Sequence, residues 1–151
     1  MKFSIWLTLL IVIGIITGCG EKNKIILDDV INAYCSVLQT TFEHRKEENA
    51  GVTFISLKFN NLDDTVDFEN EALLMCLKEK TGVKVMIDSK DDEMEHGELH
   101  LSIQEKKIVT KQKILFKTVK MYGTGLDMTI TVERKNGKWQ TTEIKENKVG
   151  K

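Results

Sequence analysis

The chain has 151 residues with 22 basic and 23 acidic side chains, a formal net charge of −1. Lysines alternate with acids along most of its length, which excludes the clustered positive surface that displaces counterions from nucleic acid. Proline is absent and no segment is repetitive, so nothing marks a second domain or an extended linker.

The N-terminal region reads as an export signal. Lys2 supplies a short positive start, and the apolar run over residues 3–16 is shorter than the roughly 20 residues of a spanning helix. The run breaks at Thr17-Gly18 and passes through Cys19 into Gly20-Glu21-Lys22-Asn23-Lys24. Ile16-Thr17-Gly18-Cys19 resembles the lipobox of bacterial lipoprotein precursors. The resemblance implies that the Cys19 thiol receives a diacylglycerol and that cleavage makes Cys19 the mature N-terminus. The acyl chains would then hold the protein on the extracytoplasmic side of the cell envelope, with the lipid bilayer as its first partner. Gly20 stands where an Asp would retain an enteric lipoprotein in the inner membrane, so in a host with two membranes the resemblance implies the outer one. The expected organisation is a signal peptide over 1–18, a lipidated tether over 19–24 and one α+β domain over 25–151.

Asp28 and Asp29 favour a helix start, and the spacing of Val30, Ile31, Tyr34, Val37, Leu38 and Phe42 predicts a helix to about residue 42. A polar stretch ending in Gly51 precedes residues 52–59, which are β-branched and aromatic and predict a strand. Asp63-Asp64 falls in a loop, and Phe68, Ala72, Leu73, Met75 and Leu77 mark a second helix over 68–80, stopped at Thr81-Gly82. A short strand over 83–87 follows. With Cys19 assigned to lipid, Cys35 and Cys76 remain as an even pair on the inward sides of the two helices. They are either a disulfide, which an exported protein retains, or two buried thiols packing as small hydrophobes.

Residues 99–103 and 114–121 predict two more strands, the second turning through Tyr122-Gly123-Thr124-Gly125. Leu126, Met128, Ile130 and Val132 alternate with polar residues, the period of a strand with one buried face. Asn136-Gly137 then predicts a two-residue hairpin pairing Arg134 with Trp139. That register sends Ile144 to the wrong face unless a β-bulge follows Trp139. The expected fold class is α+β, with two amphipathic helices packed on a mainly antiparallel sheet that ends in a C-terminal meander with an Asn-Gly hairpin. This arrangement, closing in Asn136-Gly137-Lys138-Trp139, resembles small exported proteins of the cystatin-like or NTF2-like kind. It also resembles uncharacterised small bacterial lipoproteins in which Val83-Lys84-Val85 follows a helix. These motifs are structural, so the resemblance implies a fold and no catalytic residue.

Chemical candidates are few. His96, Glu98 and His100 suggest a metal-dependent enzyme, but an extended backbone would put His96 and His100 about 13 Å apart. Glu98 and His100 share one strand face and supply only two ligands. Ser89 followed by Asp92 reads as the start of a short helix, not as a calcium loop. Ser36, Ser56, Ser89 and Ser102 lack the glycines of a nucleophile elbow, and adjacent acids such as Asp28-Asp29 serve as caps. No cofactor or metal is called for. Tyr122 and Leu126, flanking the glycine-rich turn, and Trp139 are the candidate ligand contacts. The expected function is a membrane-anchored, non-enzymatic envelope lipoprotein that binds a protein, a peptide or a small apolar ligand. The alternatives are an immunity or inhibitor lipoprotein that neutralises an incoming toxin, and the metal-dependent enzyme. An apolar cavity between helices and sheet favours the small-molecule binder, whereas a filled core with an exposed acidic or aromatic patch favours the inhibitor.

Overall fold

The computed structural model describes residues 24–60, 71–87 and 94–147, with side chains described from Asp29 onward. Cys19, Asp28, Asp63-Asp64, Phe68, Ser89 and Asp92 lie outside these descriptions, wholly or in their side chains. The chain divides into two units, Met1–Val30 and Ile31–Lys151, and apart from the start of the first helix the architecture below belongs to the second.

Helix α1 spans Lys24–Glu43 and is followed by a 3-10 turn over Lys46–Asn49. Strand β1 (Phe54–Phe59), helix α2 (Glu71–Thr81) and strand β2 (Lys84–Ile87) come next. Strands β3 (Glu98–Thr110), β4 (Lys113–Tyr122), β5 (Thr124–Lys135) and β6 (Lys138–Glu146) complete the fold. The six strands form one sheet in the order β2-β1-β3-β4-β5-β6. The sheet is mixed: β1 runs parallel to both neighbours, while β3 through β6 pair antiparallel. Three of the five pairings are antiparallel, in keeping with a mainly antiparallel sheet; the two parallel ones were not expected, because β1 reaches its partners only through long connections, which leave no turn signal in the sequence.

One face of the sheet carries the core. Tyr34 of α1 is fully buried, with its ring edge-on to Phe59 at 6.2 Å and tilted against Phe116 at 5.3 Å between centroids. Ile55, Leu57, Leu99, Leu101, Ile103, Met128, Ile130 and Val132 fill the same side. Each such side chain contributes roughly 1.5–3 kcal/mol by leaving water. In α2, Leu73 and Leu77 are buried one turn apart, but Met75, expected on the inward stripe, is 60% exposed. The inward arc of α2 is therefore narrower than the sequence stripe suggests. A disulfide joins Cys35 to Cys76, with Cα atoms 6.3 Å apart and a sequence separation of 41, and it ties α1 to α2. Closing a loop of that length removes about 4 kcal/mol of denatured-state entropy.

Strand β3 is longer than predicted because register shifts place extra residues at Gln104 and Val109, hiding its alternation from a fixed period. A third bulge sits in β6. Val132 pairs with Thr141 and Thr131 with Glu143, so Thr142 is the extra residue, and Ile144 faces Ile130. Ile144 thereby returns to the core side, although on this edge strand it remains 39% exposed.

Candidate functional site

Register across the open face assembles residues distant in sequence. Met86 pairs with Ser56, Ser56 with His100, His100 with Met121, and Met121 with Gly125. These five positions form one row over β2, β1, β3, β4 and β5. Ser56 is 3% exposed, and its hydroxyl donates to the Glu98 carboxylate. That hydroxyl has a single proton, so its 3.1 Å bond to His100 runs from Nδ1–H to Oγ, which sets the ring tautomer. The Glu95 backbone N–H donates to the second Glu98 oxygen at 2.7 Å. Ser56 is thus committed to holding its neighbours and is not poised as a nucleophile.

Two turns at the end of this row are pinned by tight contacts. Gly97 has φ +81, its carbonyl accepts from the Thr53 N–H at 2.8 Å, and a Cβ there would sit 2.5 Å from Thr53 Oγ1. Only glycine fits this approach. The Tyr122 hydroxyl donates to the Ala50 carbonyl at 2.9 Å, fixing the β4–β5 turn against the loop before β1. Between these turns lies an open cleft of about 420 Å³, lined by residues 94–98 and 121–125.

The sequence candidates separate in space. His96, Glu98 and Tyr122 line this cleft, with His100 one alternation further along β3. His96 and Gly97 form a turn before β3, so the extended spacing expected between His96 and His100 does not apply. Leu126 is half-buried and pairs with Lys120, on the helix-covered side. Trp139 lines a second cleft of about 280 Å³ with Cys35, Cys76 and Gln39, and its indole N–H is buried with no hydrogen-bond partner. Among the described residues, no group of three or more His, Cys, Asp or Glu is arranged to hold a metal ion, and no helix is long and apolar enough to cross a membrane.

No family model, curated protein or solved structure matches this chain.

Two features at the end of α1 were not visible in the sequence. Lys120 is 2% exposed, and its ammonium donates to the carbonyls of Phe42, His44 and Arg45 at 3.2, 2.6 and 3.4 Å. It satisfies helix-end acceptors and complements the negative end of the helix dipole, while burial holds its pKa below the ordinary value. Beside it, Glu146 at the end of β6 accepts from His44 at 2.8 Å and from Arg45 at 2.5 Å, and these bonds hold its carboxyl below the usual range. The exposed Met94 and Met121, which line the first cleft, were also not singled out by sequence reasoning. Methionine at a strand end ordinarily reads as core, and only the sheet register shows Met121 on the open face.

Proposed function

We propose that the protein is a lipid-anchored, extracytoplasmic binding domain whose ligand occupies the cleft between residues 94–98 and 121–125. The observation that carries this reading is the pair of pinned turns framing an open cleft with two exposed thioethers. Turns held rigid before binding lose little entropy on contact, which suits recognition. A binding role is favoured over catalysis because the Ser56 proton and both Glu98 oxygens are engaged within the chain. The lipobox resemblance at Ile16–Cys19 supports the anchor. The finer fold reading, a meander turned at Asn136-Gly137 on a cystatin-like or NTF2-like plan, belongs to the same proposal. The positive φ of both turn residues supports the hairpin.

Cys19→Ser should move the protein from the membrane fraction to the soluble or unprocessed one, checked by fractionation and mass spectrometry. A photo-crosslinking residue at Thr124 should give a defined adduct mass in cells, absent when the same residue stands at Lys138. Equal adducts at both positions, or none at Thr124, would overturn the cleft as the site of a protein, peptide or small organic ligand.

A further inference from the structure

Methionine usually fills cores, yet here Met75, Met86, Met94 and Met121 are all exposed, leaving Met128 as the one in the core among the described residues. Two of the exposed thioethers, Met94 and Met121, each 41% or so open to solvent, line the same cleft as the His96 imidazole. His44 is already bonded to Glu146, whereas His96 stands in the turn that opens onto the cleft. The described lining contains two carboxylates, Glu95 and Glu98, and no Lys or Arg. The cleft therefore combines soft sulfur donors, a borderline nitrogen donor and a field that attracts cations.

We propose that Met94, His96 and Met121 bind one Cu(I) ion in this cleft. Thioether sulfur is a poor ligand for Zn²⁺, Mg²⁺ or Ca²⁺ and a good one for monovalent copper, so the donor set selects the ion by softness. Cu(I) tolerates low coordination numbers, so two thioethers and one imidazole suffice to hold it. The two methionines come from separate segments, one before the pinned Gly97 turn and one at the end of β4. The same contacts that fix the turns would thus hold the donors. His100, paired with Met121 across β3 and β4, is oriented by Ser56. Binding makes metal–ligand bonds only, with neutral imidazole and thioethers, and transfers no electron.

The assignment rests on the cleft being the ligand site, so both are tested on one preparation. The full-length protein is extracted from membranes in detergent, free thiols are blocked with iodoacetamide, and Cu(I) is titrated anaerobically against bathocuproine disulfonate. Wild type should retain one equivalent, the Met94→Leu/Met121→Leu variant should bind at least about 100-fold more weakly, and His96→Gln at least about 10-fold. Met75→Leu, outside the cleft, should leave the affinity unchanged. Because Met94 and Met121 are exposed, the double variant should unfold within about 0.5 kcal/mol of wild type, so lost copper would not mean a lost fold. Equal Cu(I) affinity in wild type and the double variant, no retained Cu(I), or displacement by excess Zn(II) would overturn the assignment. If the Thr124 adduct persists while copper binding fails, the metal assignment alone falls. If both fail, the cleft itself is the wrong site.

Discussion

On the helix-covered face of the sheet, Tyr34, Phe116, Leu101 and Ile130 are fully buried and interlock through ring and aliphatic packing. On the opposite face, Ser56, His100 and Glu98 are joined by hydrogen bonds, and Met86 and Met121 reach solvent at either side of them. The two faces share the same backbone but answer to different physics. The covered face is held by area removed from water and by a cross-link, whereas the open face is held by directed bonds that leave donor atoms accessible. A change that weakens one should leave the other's chemistry largely intact.

The sharpest way to break that partition is Phe116→Ala, which removes a ring packed on Tyr34 and should cost about 3–5 kcal/mol in urea unfolding. Cleft ligation by the variant at low temperature should persist; loss of the Thr124 adduct in a folded variant would show that the faces are coupled. Opening the Cys35–Cys76 bridge by replacing both cysteines with Ala should cost about 2–4 kcal/mol, read as a lower unfolding midpoint. An unchanged midpoint would mean that the α1–α2 link adds little to the covered face.

Smaller effects sharpen the comparison at the end of α1. Lys120→Met removes the donor shared by three carbonyls and should cost about 1–3 kcal/mol, with faster amide exchange in the last turn of α1. Glu146 predicts a pH dependence. Its folded pKa is depressed by the His44 and Arg45 bonds, so the stabilisation is present at neutral pH and is lost as pH falls below its ordinary 4.5 toward the folded value. Thermal unfolding of Glu146→Gln should lie below wild type at pH 7, and the gap should close in acid as the Glu146 carboxyl becomes protonated. A gap that survives in acid would rule out the ion pair as its source.

Much of the covered face was legible because burial writes itself as period. The alternation from Leu126 to Val132 and the spacing from Tyr34 to Phe42 both locate buried side chains correctly. The two-residue hairpin pairing Arg134 with Trp139 also required a bulge in β6 to bring Ile144 back to the core side, and one occurs at Thr142. The open face was not legible in the same way. Ser56 meets Glu98 and His100 across the parallel pairing of β1 and β3, a register that no local signal encodes. Lys120 continues the inward alternation of Ile114, Phe116 and Thr118, but a lysine at that position reads as a strand leaving the core. Its burial becomes intelligible only when the carbonyls at the end of α1 arrive above it. Tyr122 lines the first cleft, while Leu126, four residues along the same strand hairpin, is turned to the other side by its pairing with Lys120.

The bulge at Thr142 has a bearing on crowding. β6 is an edge strand whose outer backbone groups offer a template for another chain, and a long straight edge of that kind invites chain-to-chain pairing. An extra residue in mid-strand interrupts the regular ladder spacing, and the exposed Lys138, Glu143, Lys145 and Glu146 add charge along the same edge. Copies held at high density should therefore remain separate, and deleting Thr142 should raise the tendency of the protein to form β-rich aggregates.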